Sequence, residues 1–290
     1  MFTSEIKNIT GIHTEILTYR STSNIQILIL PGNPGIGSLY IDLGKILYEK
    51  FNGQLNLYLI SYAGFTKKKS EKKYTLKEEL DHKINLIQEL KKEWHPDSKV
   101  LIVGHSIGAW LAKEIYKELG NTMNISLYML FPFLAKSDNP MQVNFSKFLA
   151  NPNHTGMSIN AYKLITKLPA SIFLSLAKLL YSHASENTFQ LITDYFLLEN
   201  HIIENIFYLA NNEFETLTED FDLEFFQAYP KNINLYYCPD DMWAPLSQIE
   251  TIKQNTKEVN AEILNTHTHD FCVSLYQCEI IAEKIRTSLI

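Results

Sequence analysis

No run of about eighteen uncharged apolar residues occurs in the 290-residue chain, so no membrane-spanning helix is expected. Cysteine is scarce. Cys238, Cys272 and Cys278 form neither a CxxC pair nor a disulfide framework, which points to a reducing compartment. The opening Met1-Phe2-Thr3-Ser4-Glu5 lacks the basic and apolar regions of a secretion signal, and a cytoplasmic protein, soluble or peripherally bound, is expected. Positive charge is also short. The 26 Lys and Arg are outnumbered by 32 Asp and Glu, giving a net charge of −6, and the lysines form no basic stripe; nucleic acid is therefore not an expected partner. Neither GxGxxG nor Walker spacing is present, which argues against a phosphate-cradling loop. Repeats and low-complexity tracts are absent as well. The run Lys67-Lys68-Lys69-Ser70-Glu71-Lys72-Lys73 reads as a solvated loop, with contact to anionic lipid headgroups as the alternative.

What is present is a composition of 46% hydrophobic and 20% charged residues, enough for one large core carrying an insertion. Short β-rich runs alternate with helical patterns, the mark of an α/β fold with a mostly parallel central sheet covered by helices on both faces. The expected strands are Gln26 to Leu30, Leu55 to Ile60, Val100 to Val103, Ile125 to Leu130, Ile233 to Tyr237 and Ala261 to Leu264. Leu76, Leu80, Ile84, Ile87, Leu90 and Trp94 recur at near-helical spacing, and Thr75 with Glu78 forms a capping box ahead of them. From Phe133 to about Lys231 the alternation stops. Residues 134–231 are expected to form a helical cap inserted into a core made of 1–133 and 232–290.

The most informative motif is Gly104-His105-Ser106-Ile107-Gly108, between the apolar run Lys99 to Val103 and the helical pattern Ala109 to Tyr116. A serine hydroxyl becomes an exposed nucleophile on a sharp strand-to-helix turn, and that turn demands small residues two positions either side. Such a serine needs a histidine as base and a carboxylate to hold its tautomer, in the chain order serine, acid, histidine. Two tandem pairs supply them. In Asp240-Asp241-Met242-Trp243-Ala244-Pro245, Asp241 is favoured because the Asp-x-Trp-x-Pro frame sets it on the turn; Asp240 is left as a surface or capping acid. In His267-Thr268-His269, His269 is favoured because His267 lies nearer the strand end, and the last loop must extend to reach the serine. The oxyanion hole should come from the amides of Ile107 and of a residue in Leu30-Pro31-Gly32-Asn33-Pro34-Gly35. Pro31 and Pro34 have no N–H, so Asn33 is the preferred donor and Gly32 the second.

These residues resemble a known family. Leu30-Pro31-Gly32-Asn33-Pro34-Gly35 with Tyr40, then Ser61-Tyr62-Ala63-Gly64-Phe65, Tyr74-Thr75-Leu76 with His82-Lys83, the elbow through Trp110, Leu130-Phe131-Pro132, Asp241 and His269-Asp270-Phe271 look like the lipid droplet-associated hydrolases of the α/β-hydrolase fold. The chain departs from the family's typical His-Ala-Gly-His at Tyr62 and Phe65. The resemblance implies a serine esterase or lipase acting on neutral lipid, of sterol ester or acylglycerol class, with Ser106 as nucleophile, Asp241 as acid and His269 as base.

Leu164 to Tyr181 carries an uncharged run, Leu168 to Ala177, bracketed by Lys167 and Lys178 and broken by Pro169. It is too short to span a bilayer. Leu168, Ile172, Phe173 and Leu176 could enter a lipid-droplet or membrane interface with the lysines snorkelling, or the segment could be a lid helix packed on the core. The expected function is cleavage of a lipid ester through an acyl-serine intermediate, with no metal or organic cofactor. Thioesterase or amidase chemistry would use the same residues, and a lipid-surface scaffold of the same fold with little turnover is the alternative from another class.

Overall fold

A computed structural model describes residues 2–180, 183–197 and 199–289, so Tyr181, the end of the apolar stretch, lies outside the described residues. The strands are β1 (Thr3–Ile9), β2 (Ile12–Tyr19), β3 (Ile25–Leu30), β4 (Asn56–Ile60), β5 (Lys99–His105), β6 (Asn124–Leu130), β7 (Ile233–Tyr237) and β8 (Asn260–Ile263). The α-helices are α1 (Ile41–Lys50), α2 (Leu76–Lys91), α3 (Ile107–Leu119), α4 (Pro140–Leu149), α5 (Pro152–Ile165), α6 (Ala170–Leu180), α7 (Glu186–Leu191), α8 (His201–Thr216), α9 (Leu223–Ala228), α10 (Leu246–Asn255) and α11 (Leu275–Leu289).

The strands form one sheet in the order β1-β2-β4-β3-β5-β6-β7-β8. β2 runs antiparallel to both neighbours, and the pairs from β4 to β8 are parallel. Alternation along the central strands builds two cores. Leu28, Leu30, Ile60 and Ile102 pack with Leu86 and Leu90 of α2 and Leu111 and Ile115 of α3. Ile27, Ile29, Leu57, Leu59 and Val103 pack with Leu43 and Leu47 of α1 and Ile281 and Ile285 of α11. The strands therefore read as continuous apolar runs because both faces are covered, each buried Leu or Ile contributing about 1.5–3 kcal/mol.

The six expected strands are β3 to β8 within one or two residues at each end. α2 begins at the expected capping box: Thr75 Oγ1 accepts from the Glu78 amide and the Glu78 carboxylate accepts from the Thr75 amide. Trp94 lies past the end of α2, where its indole N–H donates to Tyr58 Oη at 2.9 Å. The β1–β2 hairpin is absent from the expected strand set. β1 is an edge strand whose residues are mostly exposed, so it carries no apolar alternation. Its signal was the Thr10-Gly11 pair, both at positive φ (53° and 86°), as a two-residue hairpin turn needs.

The connection from β3 to β4 leaves in one direction and that from β5 to β6 in the other, although β3 and β5 are neighbours. This topological switch point opens a crevice at the carboxyl ends of β3 and β5. Between β6 and β7 the described residues hold α4 to α9 and a π-helical turn, Ile192–Leu197.

Candidate active site

Ser106 stands in the crevice, between the last residue of β5 and the first of α3, at φ 53° and ψ −123°. A non-glycine residue there is strained by about 1–3 kcal/mol and persists only where its surroundings fix it. The Ser106 N–H donates to the Leu130 carbonyl at 3.0 Å, and its own carbonyl accepts from the amides of Ala109 (3.0 Å) and Phe133 (3.1 Å). The flanking glycines are steric necessities. A Cβ on Gly104 would lie 2.4 Å from the Gly108 carbonyl oxygen, and one on Gly108 would lie 2.4 Å from those of both Leu30 and Pro31.

The loops after β7 and β8 bring Asp241 and His269 to this serine. His269 Nε2 is 3.0 Å from Ser106 Oγ, and His269 Nδ1 is 2.7 Å from Asp241 Oδ2. A carboxylate only accepts, so Nδ1 carries the proton and the Nε2 lone pair faces the serine hydroxyl. The Asp241 side chain is wholly buried yet fully bonded. Its Oδ1 accepts from the amides of Trp243 (2.9 Å) and Ala244 (3.2 Å), and Oδ2 also accepts from the Cys238 thiol at 3.7 Å. Burial pushes that thiol well up, so it stays protonated as a donor. The other member of each tandem pair points elsewhere. Asp240 is exposed on the turn at φ 56°. His267 is buried against α11, 3.2 Å from the Gln277 carbonyl, and desolvation lowers its pKa.

Of the two expected oxyanion donors, Ile107 follows the serine and Asn33 lines the same cavity as Ser106. Ile107 opens α3, where a helix leaves its first amides without intrahelical partners. In the loop after β3, the Gly32 N–H is already committed to Tyr40 Oη at 3.1 Å, which removes the second choice; the Asn33 N–H has no bond among the described residues. Two elements fix this loop from behind. The Tyr62 hydroxyl donates to the Pro31 carbonyl, and the Tyr62 ring sits 5.1 Å from the ammonium of buried Lys83, itself paired with Glu79 at 2.8 Å. Asn33 Nδ2 donates to the Ile206 carbonyl of α8 at 3.0 Å, and the Asn33 amide also contacts the Glu213 carboxyl.

Desolvation raises the Glu213 pKa from 4.5 to about 8, only partly offset by the Asn33 contact. The folded protein thus keeps a proton that the unfolded chain releases, and stability falls as pH rises between those two values, by up to about 1.4 kcal/mol per pH unit. Glu213→Gln, neutral at every pH, is expected to melt close to wild type at about pH 5 and several degrees above it at about pH 9 by calorimetry. Equal melting temperatures at the higher pH would refute a buried neutral carboxyl.

Ser106 and His269 open into a cavity of about 450 Å³. Its walls are largely apolar, with Leu39, Phe173, Leu176, Ile192, Phe196 and Val273 prominent. On α6, Phe173 and Ala177 line the cavity and Leu176 lines its rim at 47% exposed, whereas Ile172 and Leu179, 47% and 78% exposed, are not among the lining residues. Leu168, just ahead of the helix, is 42% exposed. Tyr162, Ile165, Ile192 and Phe196 also line the cavity and carry no signal of it in the sequence; an apolar helix face reads the same whether it meets a core or a cavity. A second groove of about 540 Å³ between α4, α5 and α8, with Lys73, Glu204 and Glu215 in its wall, contains neither Ser106 nor His269. No group of three or more His, Cys, Asp or Glu converges to hold a metal among the described residues. Nor is any described helix long and apolar enough to cross a membrane.

A family sequence model described as lipid-droplet associated hydrolase matches residues 23–272. The chain is similar to the lipid droplet-associated hydrolases of Rattus norvegicus (24% identity, covering 87% of this chain and 84% of the relative) and Homo sapiens (24%, 91% and 86%). Among solved structures, a haloalkane dehalogenase of Agrobacterium tumefaciens superposes with a TM-score of 0.69 at 14% identity over 99% of this chain and 96% of its own. At that identity the likeness speaks for the architecture alone, which is the α/β-hydrolase fold.

Proposed function

Because this chain belongs to the lipid-droplet associated hydrolase family, we propose that it is a serine hydrolase of lipid carboxylic esters, of sterol ester or acylglycerol class, acting through an acyl-enzyme. The observation that carries the reading is the chain of contacts Asp241–His269–Ser106, at 2.7 and 3.0 Å, ending at the mouth of an apolar cavity. In the proposed reaction, Ser106 Oγ attacks the ester carbonyl carbon as its proton passes to His269 Nε2. Asp241 steadies the imidazolium so formed, and the amides of Asn33 and Ile107 donate to the oxyanion. Collapse of the tetrahedral intermediate expels the alcohol, which takes the proton from His269 and leaves an acyl-serine. Water, deprotonated by His269, then repeats the attack and releases the acid. The aliphatic acyl chain lies against Phe173, Leu176 and Phe196, where burial favours it by roughly 0.8 kcal/mol per methylene. The residues lining the cavity include no Lys or Arg to hold an anionic headgroup, which suits a neutral lipid.

Residues 134–231 act in this reading as a cap over the site. The exposed Leu168, Ile172, Leu176 and Leu179, with Lys167 and Lys178 beside them, support a protein that meets a lipid-droplet or membrane surface at the rim of the cavity. The family name carried by the relatives supports the same surface.

The test is a fluorophosphonate probe followed by a hydrolysis series over ester chain length. Labelling is expected at Ser106 alone, with kcat/KM rising from acetyl to medium-chain acyl esters. A purified, folded protein that neither labels at Ser106 nor turns over any ester would leave the scaffold reading. A preference for thioesters or amides over matched esters would move the leaving group.

A further inference from the structure

Three hydrogen bonds run through the protein behind the triad. The Gly32 N–H donates to Tyr40 Oη at 3.1 Å, Tyr40 Oη meets His105 Nδ1 at 2.5 Å, and His105 Nε2 meets the backbone carbonyl of His269 at 2.8 Å. Their polarity follows from the ends. An amide can only donate and a carbonyl can only accept, so Tyr40 Oη accepts from Gly32 and His105 Nε2 carries the proton given to His269. The Tyr40 O–H is then left to donate to His105 Nδ1. Every proton along the line has one acceptor, with His105 neutral.

We propose that Tyr40 and His105 are positioning residues that lock the oxyanion loop and the base-bearing loop to the nucleophile elbow at one fixed spacing. The inference rests on the serine-hydrolase reading above. Gly32 immediately precedes Asn33, the proposed oxyanion donor; His105 immediately precedes Ser106; and the far end of the line is the backbone of His269 itself. One chain of bonds thus meets all three loops. Little of it is open to solvent. Tyr40 and His105 are 2% and 6% exposed, and Phe271 packs edge-on against both rings. Burial also pushes the His105 pKa well down and that of Tyr40 well up, which keeps both neutral. The loop is closely seated as well: a Cβ on Gly32 would lie 2.9 Å from Ser106 Cβ and 3.3 Å from His105 Nδ1.

Steady-state kinetics on a soluble ester test the proposal. Tyr40→Phe removes one oxygen and keeps the ring; kcat is expected to fall about 10- to 100-fold, with KM within about twofold and the melting temperature nearly unchanged. His105→Gln retains an N–H for the His269 carbonyl, and is expected to keep at least about tenfold more kcat than His105→Leu. Because both residues act through one line, the double variant Tyr40→Phe/His105→Gln should lose no more than the worse single variant. Wild-type kcat in Tyr40→Phe, or losses that multiply in the double variant, would overturn the relay. Should His105→Leu fail to fold, the cycle of Tyr40→Phe with His105→Gln decides alone. An active Ser106→Ala would instead refute the hydrolase reading beneath it, whereas inactive Ser106→Ala beside fully active Tyr40→Phe refutes the relay only.

Discussion

Ser106→Ala and His269→Ala are each expected to lower kcat on a soluble ester by about 10³-fold or more, leaving the melting temperature close to wild type. The expectation follows from a shared proton path. Oγ is 3.0 Å from Nε2, so loss of either partner removes the transfer that accompanies attack, and residues acting as a unit each cost nearly the whole effect. Asp241→Asn should cost about as much. An amide in place of Oδ2 can donate to the imidazole and reverse its tautomer, and it brings no charge to meet the developing imidazolium. The paired controls give the experiment its edge. Asp240→Asn alters an exposed turn residue, and His267→Gln alters a side chain held against α11, so each should keep kcat within about threefold of wild type. Retained activity in Ser106→Ala, or a larger loss in Asp240→Asn than in Asp241→Asn, would sink the proposed triad.

The second large effect concerns the lipid surface. If Ile172 and Leu179 enter an interface, each contributes about 1.5–3 kcal/mol on full transfer, and an aspartate in either place reverses the sign. Ile172→Asp/Leu179→Asp is therefore expected to weaken binding to phospholipid-coated triacylglycerol emulsions by about 100-fold or more in a flotation assay, while soluble-ester turnover stays near wild type. Both side chains are exposed and neither lines the cavity, so the pair separates docking from catalysis. Phe173→Asp, at a half-buried lining residue, serves as the contrast. It puts a charge in the cavity wall and should depress hydrolysis even of a soluble ester. Undiminished flotation of the double variant would remove α6 as the docking element.

The legible parts of this protein were those whose physics is local. β3 to β7 announced themselves because a strand largely buried on both faces must be largely apolar, and α2 because Thr75 and Glu78 satisfy each other's amides within four residues. Ser106, Asp241 and His269 could be picked out because an elbow needs glycines at two set positions and the remaining groups must sit at strand ends in a set order. Within the tandem pairs, the Asp-x-Trp-x-Pro frame pointed to Asp241, and the reach of the last loop pointed to His269. The hairpin β1–β2 was not read, since a half-exposed edge strand is recognisable only from its turn. Tyr40 stood in the motif without a role, because its partners Gly32 and His105 are brought to it by two different strands. The same limit hid the cavity wall: Tyr162, Ile192 and Phe196 meet Ser106 only through tertiary packing. Tyr62, a departure from the family pattern, proved to hold the Pro31 carbonyl from a position where the family usually carries histidine.

All the groups proposed to perform the chemistry stand on loops at the ends of β3, β5, β7 and β8, whereas much of the cavity wall comes from the single stretch of chain between β6 and β7. Reactivity and taste for substrate are thereby written in separate passages of the gene. In the proposed function a lineage can rewrite the second passage, lengthening or reshaping the wall to suit a different acyl group, without disturbing a proton path whose parts all stand beyond strand ends, provided that the Ile206 carbonyl that holds Asn33 is kept. A laboratory can do the same by swapping that one contiguous stretch between relatives; the proposed function expects the exchanged proteins to differ in which ester they prefer while sharing one inhibitor-reactive serine.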